Sequence, residues 1–162
     1  MSTYDSEDLL DSVYDIMSTG LNTKITAIEA EKIAKSKGLT PTLASISNYH
    51  LQTWSDKVLN STPCIFYGIE DVESEDGGGV VAKKYKVFCE IVLLDNGMTN
   101  DCFKRIARYS RALEELFRSA YTPAIHAGQV KIDSVRPISF KLELDSSEEI
   151  KVGGISLTIT LV

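Results

Sequence analysis

The stretch that most constrains this chain runs from Val80 to Asp95. Tyr85, Val87, Cys89, Ile91 and Leu93 fall on one side of an extended backbone, and Lys84, Lys86 and Glu90 on the other. That is the period of two a half-buried strand requires. Past Glu90 the run Ile91-Val92-Leu93-Leu94 is apolar on both sides. It predicts a strand end covered on both faces, either by the helix that follows or by another subunit. That helix is predicted from Asn100 to Tyr121, capped by Asn100 or Asp101 after a turn at Asp95-Asn96-Gly97. Phe103, Ile106, Ala107, Tyr109, Ser110, Leu113, Leu116 and Phe117 supply its buried face. Lys104, Arg105, Arg108, Arg111 and Arg118 surround that face, with Arg111 and Glu115 spaced as an i,i+4 pair. The cations from Lys104 to Arg111 have few carboxylates in their own helix. They read either as a solvated face or as a subunit interface that meets the carboxylates of an identical copy.

Upstream, Ser6 is placed to cap a helix carrying Leu9, Leu10, Val13, Ile16 and Met17, with Gly20 as its stop. A second, more charged helix is predicted from Asn22 to Lys37, ending at Gly38, and reads as an edge helix. Between Leu39 and Pro63 the periodicity is lost, so residues 22–62 read together as a helical or irregular arm. Within it Trp54 fits either an anchor on a partner or a core residue, and a short helix over Ser47 to Leu59 also fits. A strand is predicted from Cys64 to Val72, starting directly after Pro63. Five carboxylates, Glu70, Asp71, Glu73, Glu75 and Asp76, then precede three glycines, a composition that predicts a mobile acidic hairpin loop. The spacing matches neither a calcium loop nor a phosphate cradle. Three strands close the pattern: Gln129 to Val135, Ile138 to Leu144, and Val152 to Val162. The last two form a hairpin across a polar connection from Asp145 to Lys151. The pattern gives an α+β chain of about five strands.

At 162 residues the chain has one domain's worth of length. A net charge of -6 works against the broad attraction to phosphate backbones that non-specific nucleic-acid binding needs. The three cysteines, Cys64, Cys89 and Cys102, read as buried reduced thiols of a reducing cytosol. The acidic stretch from Met1 to Gly20 lacks the pattern of a secretory signal, and the run from Val87 to Leu94 is too short to cross a bilayer. His50 and His126 are the only histidines, and neither belongs to a catalytic or metal-binding motif. A pairing of Cys64 with His50 has no motif behind it. No catalytic residue, metal ligand or cofactor-binding residue is predicted, and assembly is favoured over catalysis.

The element order, read with Pro63-Cys64-Ile65-Phe66-Tyr67-Gly68-Ile69-Glu70, the strand Tyr85-Lys86-Val87-Phe88-Cys89-Glu90-Ile91, the arginine-rich helix and Val130-Lys131-Ile132-Asp133-Ser134-Val135, resembles the tail terminator (tail completion) proteins of long-tailed bacteriophages. The resemblance covers Asp5 to Gly20 and Pro63 to Val162, leaving residues 22–62 outside it. It implies an open mixed or antiparallel sheet with helices packed on one side, in a virion structural protein, not an enzyme, assembled in the host cytoplasm and placed at the head-proximal end of the tail. Six copies would close into a ring that docks on the tail tube protein and on the neck or connector protein, with no cofactor and no membrane. DNA would pass through the ring without specific binding. Lys104, Arg105, Arg108, Arg111 and Trp54 are then expected at the subunit interface. Glu70, Asp71, Glu73, Glu75 and Asp76 are expected at the bore or the interface, where they would repel passing phosphates. Two alternatives stand beside it: a head-tail connector, and a small-ligand or peptide-binding module with Trp54, Tyr49 and His50 lining a pocket.

Overall fold

Strict alternation sets the centre of the sheet. The structure, a computed structural model, describes residues 5–51, 62–77, 80–95, 101–120, 130–139, 141–145 and 148–161. Strand β3 (Val80–Asp95) pairs antiparallel with β6 (Glu148–Leu161) from Lys83 opposite Leu161 to Asp95 opposite Glu149. Tyr85, Val87, Cys89 and Ile91 of β3 share a buried face with Ile155, Leu157, Ile159 and Leu161 of β6. Strand β2 (Cys64–Gly77) flanks β3, and the short β1 (Tyr49–Leu51) lies parallel to β2. On the other side of β6 run β4 (Val130–Pro137) and β5 (Lys141–Asp145). The order is β1-β2-β3-β6-β4, with β5 on the early part of β6. This is the mixed α+β sheet the sequence predicts. The β5–β6 hairpin also forms, but β6 starts at Glu148, earlier than the polarity of residues 145–151 implies. Lys151, only 4% exposed, lies in the strand with its Nζ 4.5 Å above the Phe103 ring.

Strand β6 changes partner part-way, from β5 up to Val152 to β4 from Ile155 onward. Gly154 sits at that junction with φ +133°, and a Cβ there would lie 2.0 Å from the Cys89 carbonyl oxygen. Only glycine fits both the dihedral and the space.

Both helices cover one face of the sheet. Two upstream helices split at Gly20 are predicted, but the structure has one, α1 (Ser6–Ala34), running antiparallel to α2 (Cys102–Ser119). Gly20 does not stop it. A Cβ at that position would come within 2.7 Å of Leu116 Cδ1, so the glycine marks the point where the helices approach closely. Asp5, rather than Ser6, caps α1, accepting bonds from the Glu7 and Asp8 amides in a capping box. In α2, Phe103 is 52% exposed instead of buried, while Arg108 is buried instead of exposed.

The doubly apolar end of β3 is covered on both faces, and the cover is supplied within the chain. Ile91 enters the main core under the helices, while Val92 joins Cys64, Phe66, Ile150 and Val152 in a second buried cluster on the outer face. No second subunit is needed to bury it.

The region expected to be an irregular arm is strapped down where it is described. The Asn22 side chain grips the Ile46 backbone, accepting from its N–H at 2.8 Å and donating to its carbonyl at 2.9 Å. Tyr109 donates to the Ala44 carbonyl at 2.9 Å. Tyr49 to Leu51 form a strand, not the start of a helix. Trp54 lies outside the described residues.

The expected acidic loop is instead a continuation of β2 to Gly77. After a bulge between Ile69 and Asp71, Asp71 faces Lys86 and Glu73 faces Lys84 across the ladder. Opposite charges on facing positions favour pairing over a free loop. Beyond Ser74 opposite Lys83, residues 75–77 and 80–82 pair only with each other among the described residues. Among the described residues, no helix is long and apolar enough to cross a membrane.

Candidate functional site

Three positions of α2, at 104, 108 and 111, repeat at four and three and so share one side of the helix. That side faces the last turns of α1, where the sequence supplies Glu29 and Glu31. Arg108 is consumed by this arrangement. Its Nη1 donates to Glu29 Oε1 at 2.5 Å and its Nη2 to the Lys37 carbonyl at 2.5 Å, with the two side chains 7% and 8% exposed. Glu29 also accepts from the Leu43 amide at 3.3 Å. One buried ion pair thus fastens α1, α2 and the strap between α1 and β1 to one another.

Arg111, nearer the surface, donates to Glu31 and to Glu115, both at 2.7 Å. The hydrogen bond from Arg111, reinforced by one from Lys35, holds the Glu31 carboxyl far below its usual 4.5, at about 2. The same contacts raise Arg111, Glu31 first. Lys104 pairs with Asp101 at 3.1 Å at the start of α2. Of the four cations expected at a subunit interface, Arg108 is therefore internal, Arg111 is already paired on two sides, and Lys104 and Arg105 remain on the surface.

Around these residues lies a cleft of about 660 Å³ between the C-terminal end of α1 and the N-terminal end of α2. Lys32, Lys37, Lys104, Arg108 and Arg111 line it, against one lining carboxylate among the described residues, Asp101. Sequence reasoning found the cations of α2 but missed Lys32 and Lys37, which only the antiparallel helix packing brings beside them. Their one signal was the excess of lysine in the last turns of the first helix.

The carboxylates expected at a bore or interface sit apart from this cleft, on β2. Glu70 pairs with Lys86 at 3.1 Å, and Asp71 and Glu73 face lysines. Glu75 and Asp76 belong to the same strand, although their side chains lie outside the described residues. Trp54 and His126 also lie outside them. His50 lies tilted on Phe66 with centroids 4.9 Å apart, and its Nε2 is buried with no hydrogen-bond partner among the described residues. Burial pushes the Cys64 thiol up to about 11, the reverse of the activation a nucleophile needs. Among the described residues, no three His, Cys, Asp or Glu side chains converge as metal ligands.

No protein-family model matches this chain, and no curated protein matches it either. Its chemistry is read from the geometry above, which offers a cationic recess, a paired ribbon and no activated nucleophile among the described cysteines.

Proposed function

We propose that this chain is a virion assembly protein, a tail terminator that closes as a ring of identical copies on the end of a phage tail tube and presents its other face to the neck. The observation that carries this reading is the β2–β3 ribbon. Residues 75–77 and 80–82 run past the end of β6, and from Gly68 onward β2 has a ladder partner on one side only among the described residues. A lone two-stranded ribbon is marginal in water, and an open strand edge invites another chain. Both are satisfied when the ribbon lies against a neighbouring copy. The open sheet with both helices on one face is the arrangement that the resemblance implies, and it supports the same reading.

In such a ring the contact between copies is heterologous, and it closes only if the rotation between neighbours does. Six copies, a tail tube protein below and a neck protein above are the proposed partners. The carboxylates of residues 70–76 are proposed to lie at the bore or the interface, where DNA passes without being held. The ribbon tests this reading. Replacing residues 75–82 by Asn-Gly joins Ser74 to Lys83, already opposite each other, through a two-residue turn. The expected result is an unchanged circular dichroism spectrum and melting temperature with loss of the ring mass by light scattering. Pull-down with purified tail tube is expected to succeed. Binding to purified portal alone would reassign the chain as a head-tail connector, and a wild-type protomer that stays single at high concentration and binds neither would end the reading.

A further inference from the structure

Helix α1 is electrically two-ended. From Asp5 to Asp15 it carries five carboxylates, and no lysine or arginine precedes Lys24. Asp5, Glu7 and Asp8 have a local explanation, since they cap the helix and oppose its positive pole. Asp11 and Asp15 lie beyond the first turn, are exposed, and have no ion pair with any described residue. Tyr14 stands between them at the spacing that puts 11, 14 and 15 on one face; its ring packs on Tyr49 and Tyr67 from within the fold, and 41% of the residue stays exposed. At the opposite end the cationic cleft opens, with Ile33 beside Lys32 and 55% exposed. Lys37 and Lys104 lie outside the last turn of α1, so that helix's dipole does not account for them.

The two ends cannot meet within one chain. From Asp11 to Lys32 the helix rises about 30 Å, several times the screening length of about 8 Å at physiological ionic strength. Between two chains they fit, because the two ends carry unlike charge and each has an apolar side chain left partly exposed nearby, Tyr14 at one and Ile33 at the other. We propose that the cleft between the helix ends is a docking site for the acidic face of α1, centred on Asp11, Tyr14 and Asp15, of a second copy of this chain. Lys32, Lys37 and Lys104 meet the carboxylates, while Arg108 and Arg111, tied to Glu29, Glu31 and Glu115, shape the floor. The contact joins unlike ends, so it propagates head to tail. It rests on the reading of this chain as a ring-forming part and names the surfaces through which successive copies engage.

A charge swap tests it. The cleft variant Lys32→Glu/Lys104→Glu and the helix variant Asp11→Lys/Asp15→Lys leave the buried core untouched, Lys32 being half-buried and the Lys104–Asp101 pair solvent-exposed and so worth little, and both are expected to keep the wild-type circular dichroism spectrum and a near-wild-type melting temperature. Each alone is expected to lose the assembled species in sedimentation velocity. An equimolar mixture of the two is expected to regain it, since every contact between unlike variants again pairs opposite charges. Wild-type mass in either variant alone, or a mixture that stays dissociated, overturns this contact while leaving a ring built through other surfaces. A monomeric wild type overturns the ring and the contact together. Shifts of the cleft lysine resonances with inorganic phosphate, with assembly indifferent to the Asp11 and Asp15 reversal, assign the cleft to a phosphate-bearing ligand instead and also overturn the proposal.

Discussion

Arg108 shows how far a side chain's role depends on what lies across from it. In its own helix it is one cation among several. In the fold it is buried against Glu29, 79 positions away in sequence, and against the Lys37 carbonyl. Removing one member of a buried pair strands the other charge, which costs about 3–5 kcal/mol. Arg108→Ala is expected to lower stability by that amount in urea unfolding, whereas replacing Arg108 and Glu29 together by Met and Leu costs less, because neither charge is left buried. Glu31 makes a second expectation, this one in pH. Its folded-state value near 2 lies below the 4.5 of the free group, so its contribution is complete above about 4.5 and fades as pH falls toward 2. In an NMR titration the Glu31 carboxyl is expected to protonate near 2 in the wild type and to move up toward 4.5 in Arg111→Ala. An unshifted midpoint would remove the Arg111 contact as its cause.

At the scale of elements, the junction in β6 makes the sharpest demand. Gly154→Ala forces a side chain into a positive φ and against the Cys89 carbonyl, and is expected to cost about 3 kcal/mol or more by thermal unfolding. Gly20 meets a softer neighbour, a leucine tip. The elements readable in the sequence are those whose pattern is decided locally. The alternation of residues 85–91 and 155–161 translates directly into a buried face, and so does the apolar stripe of α2 from Ile106 to Phe117, apart from Phe103 at its start. Three features were not readable for one shared reason, that each is settled by a residue distant in sequence. Gly20 reads as a stop until Leu116 fills the space beside it. The acidic stretch reads as a loop until Lys86 and Lys84 appear opposite Asp71 and Glu73 in register. The arginines of α2 read as free until α1 supplies its glutamates.

For the molecule as a whole, the α+β class follows from the pattern and the one-sided helix layer is what the family resemblance implies, while the cleft arises only from the antiparallel packing of α1 on α2. The ribbon and the cleft occupy opposite ends of β3, a strand of 16 residues. At about 3.3 Å per residue that is roughly 50 Å. In the proposed assembly the two features would engage different neighbours or different parts of one neighbour. The separation of charge along α1 has a consequence that precedes any contact. In dilute buffer, two copies drifting together with such ends feel a local torque that turns the acidic end of one α1 toward the cationic cleft of the other. Orientation, the slowest part of protein encounter, is then partly accomplished while the surfaces are still separated by water.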